Sequence, residues 1–136
     1  MSEEMLAGIV PVPKEEAALL LEAGYLLMEL GKAREAEELF SGITFLLPKS
    51  DVARVALGNL HFSQNRLQKA LKAHQDALRV RPDSALAKAH IGECLLFMGK
   101  KSEGVAALEE CIAMNDDDVN DFAHALLQAA TAGELG

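Results

Sequence analysis

The stretches LEAGYLL at 21–27, ALGNLHF at 56–62 and HIGECLL at 90–96 decide the fold, because each carries one glycine and the three glycines stand 34 residues apart, at Gly24, Gly58 and Gly92. Twelve residues after each comes a small residue: Ala36, Ala70 and Gly104. Twelve further on come Pro48, Pro82 and, breaking the pattern, Asp116. Between glycine and second small residue lie the pairs Gly31-Lys32, Asn65-Arg66 and Gly99-Lys100. Glycine and asparagine tolerate the left-handed conformation that ends a helix, so each unit reads as helix, tight turn, helix.

Apolar residues recur at helical intervals in both halves of a unit, as in Leu19, Leu20, Leu26, Leu27 and Leu30, then Ala36, Leu39, Phe40 and Ile43. The small residues have a physical reason. Two antiparallel helices joined by a short turn approach closely along their shared seam, and a large side chain there would wedge them apart. Proline after the second helix lacks an N–H and disfavours helix in the residue before it, which punctuates the repeat.

Composition agrees. Half of the 136 residues are hydrophobic and only 4% are aromatic, which favours a packed all-helical domain. Thirteen Lys and Arg against twenty-one Asp and Glu leave a formal charge of −8, which repels a phosphate backbone and argues against nucleic acid as partner. Cys94 and Cys111 form no CxxC pair, so neither zinc nor a disulfide framework is indicated, and the spacing predicts that they face each other across the third helix pair. Glu3 and Glu4 stand where a secretory leader would carry positive charge, and no stretch approaches the roughly 18 apolar residues of a membrane span. The expectation is a cytoplasmic protein.

With the second-helix stretches AEELFSGI at 36–43 and KALKAHQDAL at 69–78 added, the sequence resembles the tetratricopeptide repeat family over about residues 17 to 118. The third copy departs from the pattern at Gly104 and Asp116. The resemblance implies an all-α, right-handed α-solenoid of three helix-turn-helix repeats, 17–50, 51–84 and 85–118, plus a C-terminal capping helix and tail at 119–136. Residues 1–16 are expected to form an N-terminal arm, whose Met5, Leu6, Ile9 and Val10 could fold into a groove or dock a partner. Asp117 or Asp118 is expected to cap the last helix, with Phe122, Ala125, Leu126 and Ala129 on one face. The tail from Gly133 to Gly136 is expected to be loose.

In this family the inner face of the first helices lines a concave groove where peptides bind. The 34-residue register puts there Leu21, Tyr25 and Met28 from the first copy, Val55, Asn59 and Phe62 from the second, and Ala89, Glu93, Leu96 and Phe97 from the third. That set is mostly apolar, and Tyr25, Phe62 and Phe97 are its candidate anchors. Members that clamp a C-terminal carboxylate use Lys, Arg and Asn from several repeats; here only Asn59 sits at a matching place, so no such clamp is expected.

Nothing in the sequence points to catalysis, a metal or a cofactor. No two of His61, His74, His90 and His124 stand within four residues of each other, and His61 and His74 take places filled by Leu27 and Leu95, and by Phe40 and Leu108, so they read as packing residues. The run Asn115-Asp116-Asp117-Asp118 lacks the turn glycine and closing glutamate of a calcium loop. The expectation is a non-enzymatic protein-binding module, with a homodimer as a further option. In size, acidity and architecture the chain is similar to the cytoplasmic chaperones of bacterial type III secretion, which implies a client with an apolar segment. A general scaffold or assembly adaptor with the same groove is the alternative.

Overall fold

In the computed structural model, which describes residues 14–133, seven helices follow one another: α1 Lys14–Glu29, α2 Ala33–Leu46, α3 Val52–Ser63, α4 Leu67–Val80, α5 Ala85–Phe97, α6 Lys101–Ala113 and α7 Asp117–Thr131. No strand is present among the described residues. The arm residues Met5, Leu6, Ile9 and Val10, and the tail beyond Gly133, lie outside the described residues.

The three turns within pairs are built alike. Gly31, Asn65 and Gly99 adopt φ of +77°, +59° and +81°. Each then closes a Schellman pattern: Gly31 N–H donates to Met28 O at 3.0 Å and Lys32 N–H to Leu27 O at 2.8 Å, with the equivalent bonds at Asn65-Arg66 and Gly99-Lys100. The carbonyls of Lys32, Arg66 and Lys100 accept the first bonds of the second helices, from Ala36, Ala70 and Gly104.

The seams explain the 34-residue glycines. A Cβ on Gly24 would overlap the Phe40 ring, one on Gly58 the His74 ring, and one on Gly92 would come within 2.7 Å of Leu108. Phe40, His74 and Leu108 are themselves fully buried and mutually in register, so each pair is closed by one large side chain lying on a bare backbone. Gly104 serves the same end, because a Cβ there would meet Leu96 at 2.9 Å. Burial of a side chain such as Phe40 or Leu108 stabilises the fold by about 1.5–3 kcal/mol.

Between pairs, Pro48 and Pro82 sit in four- to five-residue linkers, and the Ser84 hydroxyl joins successive linkers by donating to Asp51 Oδ2 at 2.5 Å while accepting from Ala87 N–H at 3.1 Å. The third linker is shorter. Asn115 takes the left-handed conformation at φ +58°, and Asp116 becomes the N-cap, its carboxylate accepting from Asp118 N–H at 3.0 Å. The expected cap at Asp117 or Asp118 is thus one to two residues late: without a proline to hold the chain extended, the last helix starts sooner. Helix α7 closes the solenoid with Val119, Ala123, Leu126 and Ala130 buried against the third pair. Of the face expected for it only Leu126 belongs to that set; Phe122 packs at its edge, while Ala125 and Ala129 line an outer cleft with Gln128 and Ala132.

Cys94 and Cys111 are both free and buried, but they belong to different clusters. Cys94 packs with Ala70, Leu71, Ile91 and Ala107, whereas the Cys111 thiol donates to Ala85 O at 3.3 Å beside the capping helix. The predicted face-to-face arrangement is absent, because the two residues point to opposite neighbours of the third pair. Burial pushes the Cys94 thiol up to about 12 and raises that of Cys111 as well.

Candidate functional site: the face of the first helices

First helices touch first helices along the solenoid, α1 on α3, α3 on α5 and α5 on α7. Among the described residues no second helix of a repeat touches another second helix. A layer whose members meet lies on the inside of a curve, and a layer whose members splay lies outside. The first helices therefore line the concave side.

Of the ten residues that the register places there, seven reach the surface. Tyr25 and Phe97 are the most open, at 36% and 48% exposure, and Leu21, Met28, Asn59, Phe62 and Glu93 are half-buried. Val55, Ala89 and Leu96, at 2%, 0% and 2%, are closed into the core. The reason is their neighbours: Val55 packs with Ala77 and Ala87 at the joint of the second and third repeats, and Ala89 and Leu96 with the capping-helix cluster. The register counts positions along one helix and is blind to how much the next repeat covers.

Two aromatic contacts rigidify the open residues. Tyr25 leans on Phe40 with ring centroids 5.2 Å apart, and its hydroxyl accepts a hydrogen bond from Asn59 Nδ2 at 3.0 Å, joining places exactly one repeat apart. Burial raises the Tyr25 phenol above its ordinary value, with the Asn59 bond opposing. Phe62 and Phe97 meet edge to face at 5.1 Å. At the first repeat's end, Leu21 lines a cleft of about 430 Å³ with Ala17, Ala18, Leu47, Val52 and Arg81.

A column of rings that sequence reasoning took only as packing crosses the repeats beneath this face. His74 stacks on His90 with centroids 4.8 Å apart and planes 12° from parallel, and His90 in turn meets Phe122 at 5.0 Å. His90 Nδ1 lies 3.0 Å from Glu93 Oε1. Neither nitrogen of His74 has a hydrogen-bond partner. Burial, with His90 and His61 adding like charge, pushes the His74 imidazole down to about 3. His61 is also lowered, chiefly by burial. No group of three His, Cys, Asp or Glu side chains is placed to hold a metal among the described residues.

Paired helices with glycine seams, stacked through their first helices into a curved ladder, define a repeat solenoid built for contact with other polypeptides. The tetratricopeptide repeat model matches residues 21–85 and 55–119, and the chain belongs to that family. Trafficking protein particle complex subunit 12 of Mus musculus is 30% identical over 118 residues, which are 82% of this chain and 14% of that protein. The chain thus spans about one seventh of that relative. Among solved structures, the type III secretion translocator chaperone SycD of Yersinia enterocolitica superposes with a TM-score of 0.80 at 16% identity, over 93% of this chain and 96% of that one. The same chaperone in complex with a peptide of the translocator YopD gives 0.73 at 15%, over 92% and 99%. The first repeat domain of Spaghetti (RPAP3), bound to the HSP90 peptide SRMEEVD, gives 0.73 at 18%, over 92% and 98%. These structural likenesses concern the fold. Among the described residues no helix is long and apolar enough to cross a membrane.

Proposed function

We propose that this chain is a non-catalytic protein-binding module of a larger assembly, and that its concave face receives an apolar segment of a polypeptide partner. The observation that carries the reading is the exposure of Tyr25 and Phe97, with Phe62 beside Phe97, on the inner layer of helices. Large aromatics left open on a rigid surface are the usual anchors of an interface. Leu21, Met28, Asn59 and Glu93 complete the lining, while Val55, Ala89 and Leu96 support it from below. The sequence kinship with a subunit of a multi-subunit trafficking complex favours an assembly adaptor.

A second reading is a cytoplasmic chaperone that holds a secretion client. It is supported by the likeness over nearly the whole length of both chains to SycD with its translocator peptide. The two readings differ in stoichiometry: a chaperone forms a stable 1:1 or 2:1 complex with a client that aggregates alone, whereas an adaptor bridges two soluble partners. Light scattering on the purified complexes separates them. The shared groove reading is tested by a photo-crosslinking residue at position 97, with one at exposed Glu38 as control. Crosslinks to the partner from position 97 alone support the groove; equal crosslinking from both positions contradicts it.

A further inference from the structure

We propose that the edge of the solenoid formed by the three within-repeat turns is a second interaction surface, which takes an acidic, extended polypeptide segment. Lys32, Arg66 and Lys100 occupy the same place in three turns of the same backbone geometry, and all three are exposed. Arg34, Lys69 and Lys101, also exposed, follow within three residues. The in-register stretches 29–35, 63–69 and 97–103 hold these six cations and three carboxylates, Glu29, Glu35 and Glu103, with Glu37 and Glu38 just beyond the first, although the whole chain carries −8. The excess lies on the second and third turns. Of the six, Arg34 alone has an ion-pair partner among the described residues, Glu38 at 3.6 Å.

The charges are not needed as helix caps. No side chain caps any of the three second helices, whereas Ser84 and Asp116 cap α5 and α7 with side-chain oxygens. At each turn the carboxyl end of one helix meets the amino end of the next, so the two helix dipoles oppose and leave the side-chain charges as the dominant field. First helices of successive repeats touch, and packed helices lie about 8–10 Å apart, the span of about three residues of polyproline II chain, which turns every third side chain to one face. A segment with a carboxylate at every third position therefore meets one rung per repeat and complements the cations there. The edge adjoins the groove at Phe97, but none of its six cations is a groove residue, so the proposal stands apart from the groove reading.

The test uses a fluorescein-labelled twelve-residue peptide with Glu at every third position between Gly and Ser, titrated with the full chain at low salt and followed by anisotropy. The expected result is saturable binding that weakens with salt, and weakens about tenfold or more in the Lys32→Gln, Arg66→Gln, Lys100→Gln triple variant, each exposed charge contributing roughly two- to fivefold. A thermal melt of that variant at the parent's temperature shows that the loss is local. Equal binding by the triple variant, or no binding of the Glu peptide by the parent, overturns the proposal. So does tighter binding of a single-stranded oligonucleotide of equal charge, which would make the edge a phosphate surface.

Discussion

Replacing His74 by leucine should stabilise the protein and remove much of its sensitivity to acid. His74 is fully buried on Gly58, and neither ring nitrogen is satisfied, at a place where the neighbouring repeats put Phe40 and Leu108. A buried polar group without a partner costs about 1–3 kcal/mol, so His74→Leu should gain about that much at neutral pH, less what is lost from stacking on His90. The pH term has a definite sign. The folded-state value is depressed, from 6.5 to about 3, so the unfolded chain takes up the proton first and stability falls as pH drops below 6.5. Between pH 7.5 and 5 this one residue should withdraw about 2 kcal/mol. Urea denaturation of parent and variant at both pH values measures the difference, with the carboxylates and His61 common to both. A variant that is less stable at pH 7.5, or that loses as much as the parent on going to pH 5, would refute the account of His74 as an unpaired buried imidazole.

Two further outcomes follow from the packing. Gly58→Leu should force α3 from α4 and cost several kcal/mol by overpacking against His74, and a melt within a few degrees of the parent would contradict the seam. Asp116→Ala should cost about 1 kcal/mol by removing the last helix's cap, while Asp117→Ala should cost less, which urea denaturation of the two variants compares directly.

The fold was legible because its punctuation is local. A turn that needs a left-handed residue shows as Gly31, Asn65 or Gly99, and a seam that needs bare backbone shows as Gly24, Gly58 or Gly92, in one sequence and at one period. What a neighbouring repeat covers is not local. Thus Val55, Ala89 and Leu96 share register with open groove residues yet are closed by Ala87, Leu108 and α7, and Cys94 and Cys111 diverge to different clusters. The lapse at Asp116 was visible, but its consequence, a shorter linker turned at Asn115, depends on a conformation that asparagine permits and does not compel. The His74–His90–Phe122 column joins side chains on α4, α5 and α7, 16 and 32 residues apart, and no spacing rule announces it.

The central claim is that an apolar partner segment binds on the concave face, and calorimetric titration of that segment into the Tyr25→Ala, Phe97→Ala double variant tests it most directly. Both side chains are partly open, so each truncation should cost less stability than Phe62→Ala, whose half-buried ring packs against the buried cluster of Ala70, Leu71, Ile91, Cys94 and Ala107. The account predicts a loss of roughly 1–3 kcal/mol of binding for each anchor, binding by the parent that persists at about 0.5 M salt, and no change in the exposed Glu38→Ala control. Unchanged affinity in the folded double variant would contradict it.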